Sequence, residues 1–215
     1  LGDLLEWLCD PVRIPYFLAI RIARTTVAPF LYMIAALFVK HTLIGKFRPG
    51  PRDASSEWDR MRVWLAASLF SRSRVQAVTD LLGRHYSLTS AFYRLLGAKV
   101  GKRVFWPGTQ PLCSGIYDLL DIGDDVVFGS RSTILSVSSS AYEKVTFCAG
   151  ANISDNTVVL PGSIIGKNAV LGSNTVCPRG RYLPPSTTWL GSQEGEPVLL
   201  NYRSESDMIT KHAKD

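Results

Sequence analysis

Residues 153–176 divide into four blocks of six, ISDNTV, VLPGSI, IGKNAV and LGSNTV, each opening on an apolar side chain. A helix repeats every 3.6 residues and a strand every two, so a period of six requires the chain to turn once per hexad. Lead positions fall at Ile122, Phe128 and Ile134, then after a break at Phe147, Ile153, Val159, Ile165, Leu171, Cys177, Leu183 and Trp189. The fifth residue of successive hexads is small or β-branched almost throughout: Val126, Ser132, Ser138, Ala151, Thr157, Ser163, Ala169 and Thr175. This double constraint predicts a solenoid of short strands meeting at tight corners, three hexads to a triangular coil, with lead residues stacked inside and small residues at the bends. The 11 hexads make between three and four coils, and Val100, Trp106 and Leu112 mark a further coil upstream. Gly123, Gly129, Gly162, Gly166 and Gly172 are expected where backbone turns sharply or takes positive φ. Residues 138–146, SSSAYEKVT, shift the register by one and are expected to project as a loop.

Upstream of the hexads the pattern is helical. Within residues 14–47 lies an uncharged run, Thr25 to Val39, of 15 residues. Such a helix is roughly 22 Å long, short of a ~30 Å hydrocarbon layer. Residues 42–45 extend it if Lys40 and His41 lean toward headgroups, with Arg21 and Arg24 anchoring the other end. The expectation is a membrane-spanning or membrane-embedded helix; a buried core helix is the alternative that this length also allows. Lys46, Arg48 and Arg52 follow it, and the positive-inside rule then puts the rest of the chain on the cytoplasmic side. Pro49, Gly50 and Pro51 mark a boundary. Beyond them Ser55 or Ser56 is a candidate N-cap, Glu57 and Asp59 suit a first turn, and Trp58, Met61, Leu65 and Leu69 form one stripe. Further helices are expected around residues 75–82 and 89–96, ending at Gly97. Their apolar faces either lie along a membrane surface or pack on the next domain. The expected domains are 1–50, a membrane-associated helical segment; 51–97, an amphipathic helical linker; 98–195, the solenoid; and 196–215, an extension.

A chain of 215 residues holds one good core, or a modest core with an appendage. Its net charge of +6 suits an anionic partner, and the apolar helix points to a membrane surface rather than nucleic acid. Cys9, Cys113, Cys148 and Cys177 form no C-x-x-C pair and are read as reduced. The opening LGDLLEWLCD has neither an initiating Met, a basic n-region nor a cleavage site, so it is read as part of a longer protein rather than a signal peptide. No H-x-x-x-H metal pair, P-loop or dinucleotide fingerprint is present.

The stretches IGDDVVFGSRSTIL, VTFCAGANISDNTVVLPGSIIGKNAVLGSNTV and WLGS resemble the left-handed parallel β-helix of hexapeptide-repeat acyltransferases. The expected fold class is therefore mainly β, a left-handed parallel β-helix (hexapeptide-repeat solenoid) preceded by an N-terminal membrane helix and amphipathic helices. A resemblance covering nearly the whole chain is carried by KHTLIGKFRPGP, YRLLGAKVGKRVFWPG, DLLDIGDDVVFGSRS and TWLGSQEGEPVLL. These are similar to the membrane-embedded tandem domains that follow the adenylation and carrier domains of poly-ε-lysine-synthetase-like non-ribosomal peptide synthetases. The resemblance implies acyl or aminoacyl transfer from a carrier-bound phosphopantetheine thioester, with no cofactor bound directly. It implies as partners the carrier and adenylation domains of the same polypeptide, sister β-helix domains and a membrane.

Such transfer needs a base for the attacking amine or hydroxyl and donors for the tetrahedral oxyanion. Hexapeptide acetyltransferases carry a catalytic histidine in a loop after a TILSV-like strand; here that place holds Ser138, Ser139 and Ser140, and His41, His85 and His212 lie outside the β-helix. The histidine role is therefore assigned to no residue on this ground. Candidate bases are Asp118 and Asp121, with Asp124 and Asp125 beside them, Glu143 in the irregular loop, and His85. For the aspartates the alternative is capping of backbone N–H groups at coil corners. Arg131, Arg179 and Arg181 are candidates for the phosphopantetheine phosphate, or are simply solvated. Cys148 is expected to point outward and Cys177 into the core, neither with a histidine neighbour that would make it a nucleophile. Two readings stand: a membrane-tethered transferase domain, and a non-catalytic β-helical scaffold or docking domain. Converging acids or histidine in a cleft beside residues 138–146 would favour the first, a flat apolar face the second.

Overall fold

The computed structural model describes residues 11, 13–52, 56–82, 85–107, 112–113, 115–138 and 140–202. Cys9, Asp53, Ser55, Ser139 and His212 lie outside the described residues, as do the side chains of Leu112 and Cys113.

Paired strands run through three faces in strict rotation. The first face holds β2 (Lys99–Val100), β4 (Leu120–Ile122), β8 (Val145–Phe147), β11 (Ile164–Ile165) and β14 (Tyr182–Leu183). The second holds β5 (Val127–Phe128), β9 (Asn152–Ile153), β12 (Val170–Leu171), β15 (Thr187–Gln193) and β16 (Glu196–Tyr202). The third holds β3 (Leu112–Cys113), β6 (Thr133–Ile134), β10 (Val158–Val159) and β13 (Val176–Cys177). Every pair among these is parallel except β15 with β16, which form a closing hairpin. Because the chain visits the faces cyclically, it winds as a three-sided coil. Ile164 pairs with Tyr182, 18 residues on, so a regular turn is three hexads. The coil expected from Val100, Trp106 and Leu112 is present: β2 pairs with β4, Phe105 bridges Val127, and β3 pairs with β6. Glu196–Tyr202 continues the second face, so the boundary expected at 195 falls in the turn of the hairpin.

The lead residues fill the interior. Ile153, Val159, Ile165, Leu171, Cys177 and Leu183 are fully buried, and Trp106, Phe128 and Phe147 continue the stack as neighbouring rings. Fifth-position residues sit buried at the corners, where hydroxyls satisfy corner carbonyls: Ser163 Oγ donates to Leu160 O at 2.7 Å or Pro178 O at 2.8 Å. Positive φ is supplied mainly by Asp125, Arg131, Asn156, Asn168, Asn174 and Ser186; of the five glycines expected there, only Gly162 takes it. Gly123 serves close approach instead, since a Cβ there would lie 2.8 Å from the backbone nitrogen of Ala149 in the next coil.

Register breaks once between regular coils. Asp121 pairs with Thr146, 25 residues on, where a regular turn takes 18. The extra residues leave the third face after Ile134 and fold back, β7 (Ala141–Tyr142) making an antiparallel bridge to Val137.

The helical part covers one side of this coil. Helix α1, Arg13–Ile44, is continuous and is long and apolar enough to cross a membrane. Residues 14–31 stand exposed around most of its circumference, whereas Met33, Ala36, Lys40 and Ile44, one face at i, i+3, i+7 and i+11, are buried. The linker strand β1 (Gly50–Pro51) leads to α2 (Glu57–Leu69), capped by Ser56 Oγ, which accepts from the Asp59 N–H at 3.4 Å. The buried stripe of α2 is Val63, Ala66 and Leu69, not the one expected: Trp58 and Met61 are exposed, along with Trp64. Helices α3 (Arg72–Leu82) and α4 (Tyr86–Leu95) follow. Tyr93 of α4 stacks on Trp106 at 4.4 Å, and Trp106 Nε1 donates to Ser90 Oγ at 2.9 Å, which fixes α4 on the first coil.

Candidate functional site

The insertion at 138–146 is closed by the linker. β1 pairs antiparallel with β7, Gly50 opposite Tyr142, and the Arg52 N–H donates to Ser140 O at 2.9 Å. Tyr142 OH donates to Asp59 Oδ2 at 2.6 Å, and Arg52 Nε lies 3.5 Å from the same oxygen. Burial, and then the Asp59 carboxylate, push the Tyr142 phenol far above its ordinary range, so it stays a donor. Glu143 is gripped by Arg179, whose Nε and Nη2 donate to its two oxygens at 2.7 and 2.6 Å. That fork holds the Glu143 carboxyl below its usual range, and so makes it a poor base. Lys144 Nζ donates to Asp121 Oδ2. Asp121 and Glu143 therefore share the insertion's neighbourhood, each committed to a cation.

The corner aspartates cap and pair. Asp124 Oδ1 accepts from the Lys102 N–H at 2.6 Å, and Asp125 takes Arg103 in a fork of 2.5 and 2.6 Å that lowers its pKa. His85 occupies the N-cap position of α4 through its backbone, with its side chain exposed. The three arginines do not meet as a phosphate site. Arg131 sits exposed at positive φ between the second and third faces, while Arg179 and Arg181 lie between the third and first, Arg181 near Glu196 at 3.5 Å. Cys148 is half-buried, and Cys177 is buried with its thiol pKa pushed up by that burial, so it is not a poised nucleophile.

Asp118 belongs to a different place. It sits where the end of α1 meets the first coil, its side chain 4% exposed and its carboxylate 3.2 Å from Lys40 Nζ, itself 7% exposed. Lys40 also donates to Leu96 O, and the Phe47 N–H donates to Asp118 Oδ2 at 3.4 Å. Gly97, at φ +101, leaves room for the pair; a Cβ there would collide with both partners. Around this clasp opens a cleft of about 440 Å³ lined by His41, Lys46, Arg94 and Leu95 as well as Lys40 and Asp118. His41 Nδ1–H donates to Leu37 O at 2.8 Å, which fixes the tautomer and leaves Nε2 for other work. Arg94 is aimed by Val100 O at 2.9 Å and Gly101 O at 2.7 Å, and it forms a wall shared with a second cleft of about 360 Å³ that reaches Ser87, Lys102 and Arg103. With Lys40 and Asp118 neutralising each other, Lys46 and Arg94 give the first cleft a positive balance. Sequence reasoning passed over His41 because it sits outside the hexads; its spacing from Lys40 and Lys46 was visible, but their convergence with Arg94 was not. Among the described residues no three His, Cys, Asp or Glu side chains gather as metal ligands.

No protein-family model matches the chain. Among solved structures it is similar to a hexapeptide-repeat acetyltransferase from Vibrio cholerae, 16% identical, covering 66% of this chain and 93% of that one with a TM-score of 0.49. It is also similar to a maltose O-acetyltransferase from Clostridium difficile, 18% identical over 73% of this chain and 94% of that one, TM-score 0.49, and to a serine acetyltransferase from Brucella abortus, 12% identical over 86% and 73%, TM-score 0.44. In sequence it is 28% identical over 180 residues to the delta-poly-L-ornithine synthetase of Acinetobacter baumannii, a match that takes in 78% of this chain. The chain spans only 13% of that protein's length.

Proposed function

We propose that this chain is a membrane-associated domain of a larger acyl- or aminoacyl-transferring enzyme, and that transfer takes place in the cleft at the foot of α1. The observation that carries the reading is the convergence there of a tautomer-fixed imidazole, His41, with two cations, Lys46 and Arg94. In this reading a carrier domain of the same polypeptide, loaded by its adenylation domain, presents the acyl group as a phosphopantetheine thioester. The acceptor amine attacks the carbonyl, the C–N bond forms, the C–S bond breaks and the carrier thiol leaves. His41 Nε2 takes the amine proton and returns it to the leaving thiolate, while Arg94 and Lys46 steady the oxyanion. The likeness to a poly-L-ornithine synthetase supports an aminoacyl group as the unit moved. A left-handed winding, sister β-helix domains and a cytoplasmic position for the coil belong to the same reading.

The test is a carrier charged with labelled ornithine, free ornithine as acceptor, and the domain in detergent. Product should exceed a domain-free control, fall about 10²–10⁴-fold in His41→Ala, and persist in Glu143→Gln and Asp121→Asn. No product above the control, or an unchanged rate in His41→Ala, overturns it. One observation favours the second reading, a non-catalytic scaffold: the insertion is clasped by the linker and its acids are ion-paired. A domain that holds the carrier but leaves the charged ornithine untouched would establish that role.

A further inference from the structure

We propose that α1 and α2 form a two-helix apolar platform that lies against a lipid bilayer, so that α1 is not the whole of the membrane contact. The proposal rests on the reading that α1 meets a membrane, and extends it to a helix whose stripe was expected to pack on protein.

The two helices lie side by side and antiparallel. Arg62 Nε, in the first half of α2, donates to Ile44 O at 2.6 Å at the end of α1, and its guanidinium lies 4.6 Å from the Phe47 ring. At the other end Tyr32 OH donates to Leu69 O at 3.4 Å, and Arg74 reaches Tyr32 OH. Both helices cover one side of the protein: Met33 and Ala36 share a core cluster with Phe70, and Ile44 shares the adjoining cluster with Ala66. At about 100° per residue, the faces turned away from that core are Leu31, Ile34 and Phe38 on α1 and Met61 and Trp64 on α2, with Trp58 on the flank. These six are 61, 64, 69, 40, 66 and 53% exposed. Large apolar side chains grouped on one side call for an occupant.

The occupant is a bilayer interface. Residues 25–39 of α1 and 63–70 of α2 are free of charge, so the outward surface of the pair has no charged side chain over its middle. Charges collect at the rims instead, with Lys46, Arg48 and Arg60 at one end and Arg72 and Arg74 at the other. A flat apolar face with basic rims suits a helix pair lying in the interface, tryptophans at the level of the headgroups and cations against anionic lipid. It also explains why Trp58 and Trp64 sit outside while Ala66 sits inside.

The 215-residue chain would be mixed with vesicles of phosphatidylcholine and phosphatidylglycerol, with acyl chains either plain or brominated near the headgroup. Co-flotation reports membrane binding, and bromine quenching reports tryptophan depth. Quenching is expected, and Trp58→Phe/Trp64→Phe should float equally well but lose the greater part of it. Met61→Glu/Trp64→Glu should weaken flotation about tenfold. Flotation with quenching unchanged in the Phe variant overturns the proposal while leaving the membrane reading intact; absence of flotation overturns both. A detergent-stable dimer abolished by Met61→Glu/Trp64→Glu, with Trp58 and Trp64 unquenched, would make the face a protein interface and also overturn it.

Discussion

Asp118→Asn is the substitution that separates a structural clasp from a catalytic acid. Its carboxylate and the Lys40 ammonium are both nearly enclosed, at 4 and 7% exposure, and the carboxylate also receives the Phe47 N–H. Removing one member of a buried ion pair leaves the other charge uncompensated, at a cost of about 3–5 kcal/mol. For a chain of this size each kcal/mol moves the unfolding midpoint by roughly 2–4 °C, so the midpoint should fall by roughly 6–20 °C. Lys40→Met should cost a similar amount. The double variant Lys40→Met/Asp118→Leu removes both charges and leaves chiefly the Phe47 N–H and Leu96 carbonyl unsatisfied, so it should cost less than the sum of the singles by about 2 kcal/mol. Intrinsic-fluorescence melting of the four proteins in one detergent gives the cycle directly. Additive costs, or an Asp118→Asn protein that melts with the wild type, would refute the clasp. Loss of transfer by Asp118→Asn below its midpoint, with Lys40→Met fully active, would return Asp118 to the chemistry.

The clasp on the insertion has a pH signature. Because the folded Tyr142 pKa lies above the ordinary value near 10, its contribution is intact below about pH 10 and is lost as the pH rises beyond it. Denaturant titrations should show stability falling above pH 10, a fall missing from Tyr142→Phe, which should cost about 1.5–3 kcal/mol at neutral pH for the bond to Asp59. In the stack, Phe128 is fully buried between Trp106 and Phe147, and Phe128→Ala should cost about 3–5 kcal/mol by urea unfolding. A cost under about 1 kcal/mol would mean that the interior is not close-packed there.

What the chain states locally, it states completely. A six-residue apolar period names which side chains face inward, and Ile122 through Trp189 do so at every lead position because burial is set by the hexad itself. The small fifth residues, the Ser56 cap and the apolar run of α1 are equally local, each requiring only its own few neighbours. Contacts between coils are another matter, because they depend on how many residues each turn consumes. Seven extra residues before Thr146 bring Glu143 opposite Arg179, 36 positions away, and turn a candidate base into half of an ion pair. Corner identity likewise separates Arg131 from Arg179 and Arg181, which one-dimensional spacing cannot express. The stripe of α2 was misread because a helix wheel shows that an apolar face exists without showing which side the protein covers; Val63 and Ala66 met the core, leaving Trp58 and Met61 outside. The sequence by itself determined the coil, its interior and its helical flank, since these follow from periodicity. Only the tertiary structure decided that His41, Lys46 and Arg94 line one cleft and that Asp118 is bound to Lys40, because those neighbours come from α1, α4 and the first coil and meet only when all three have packed.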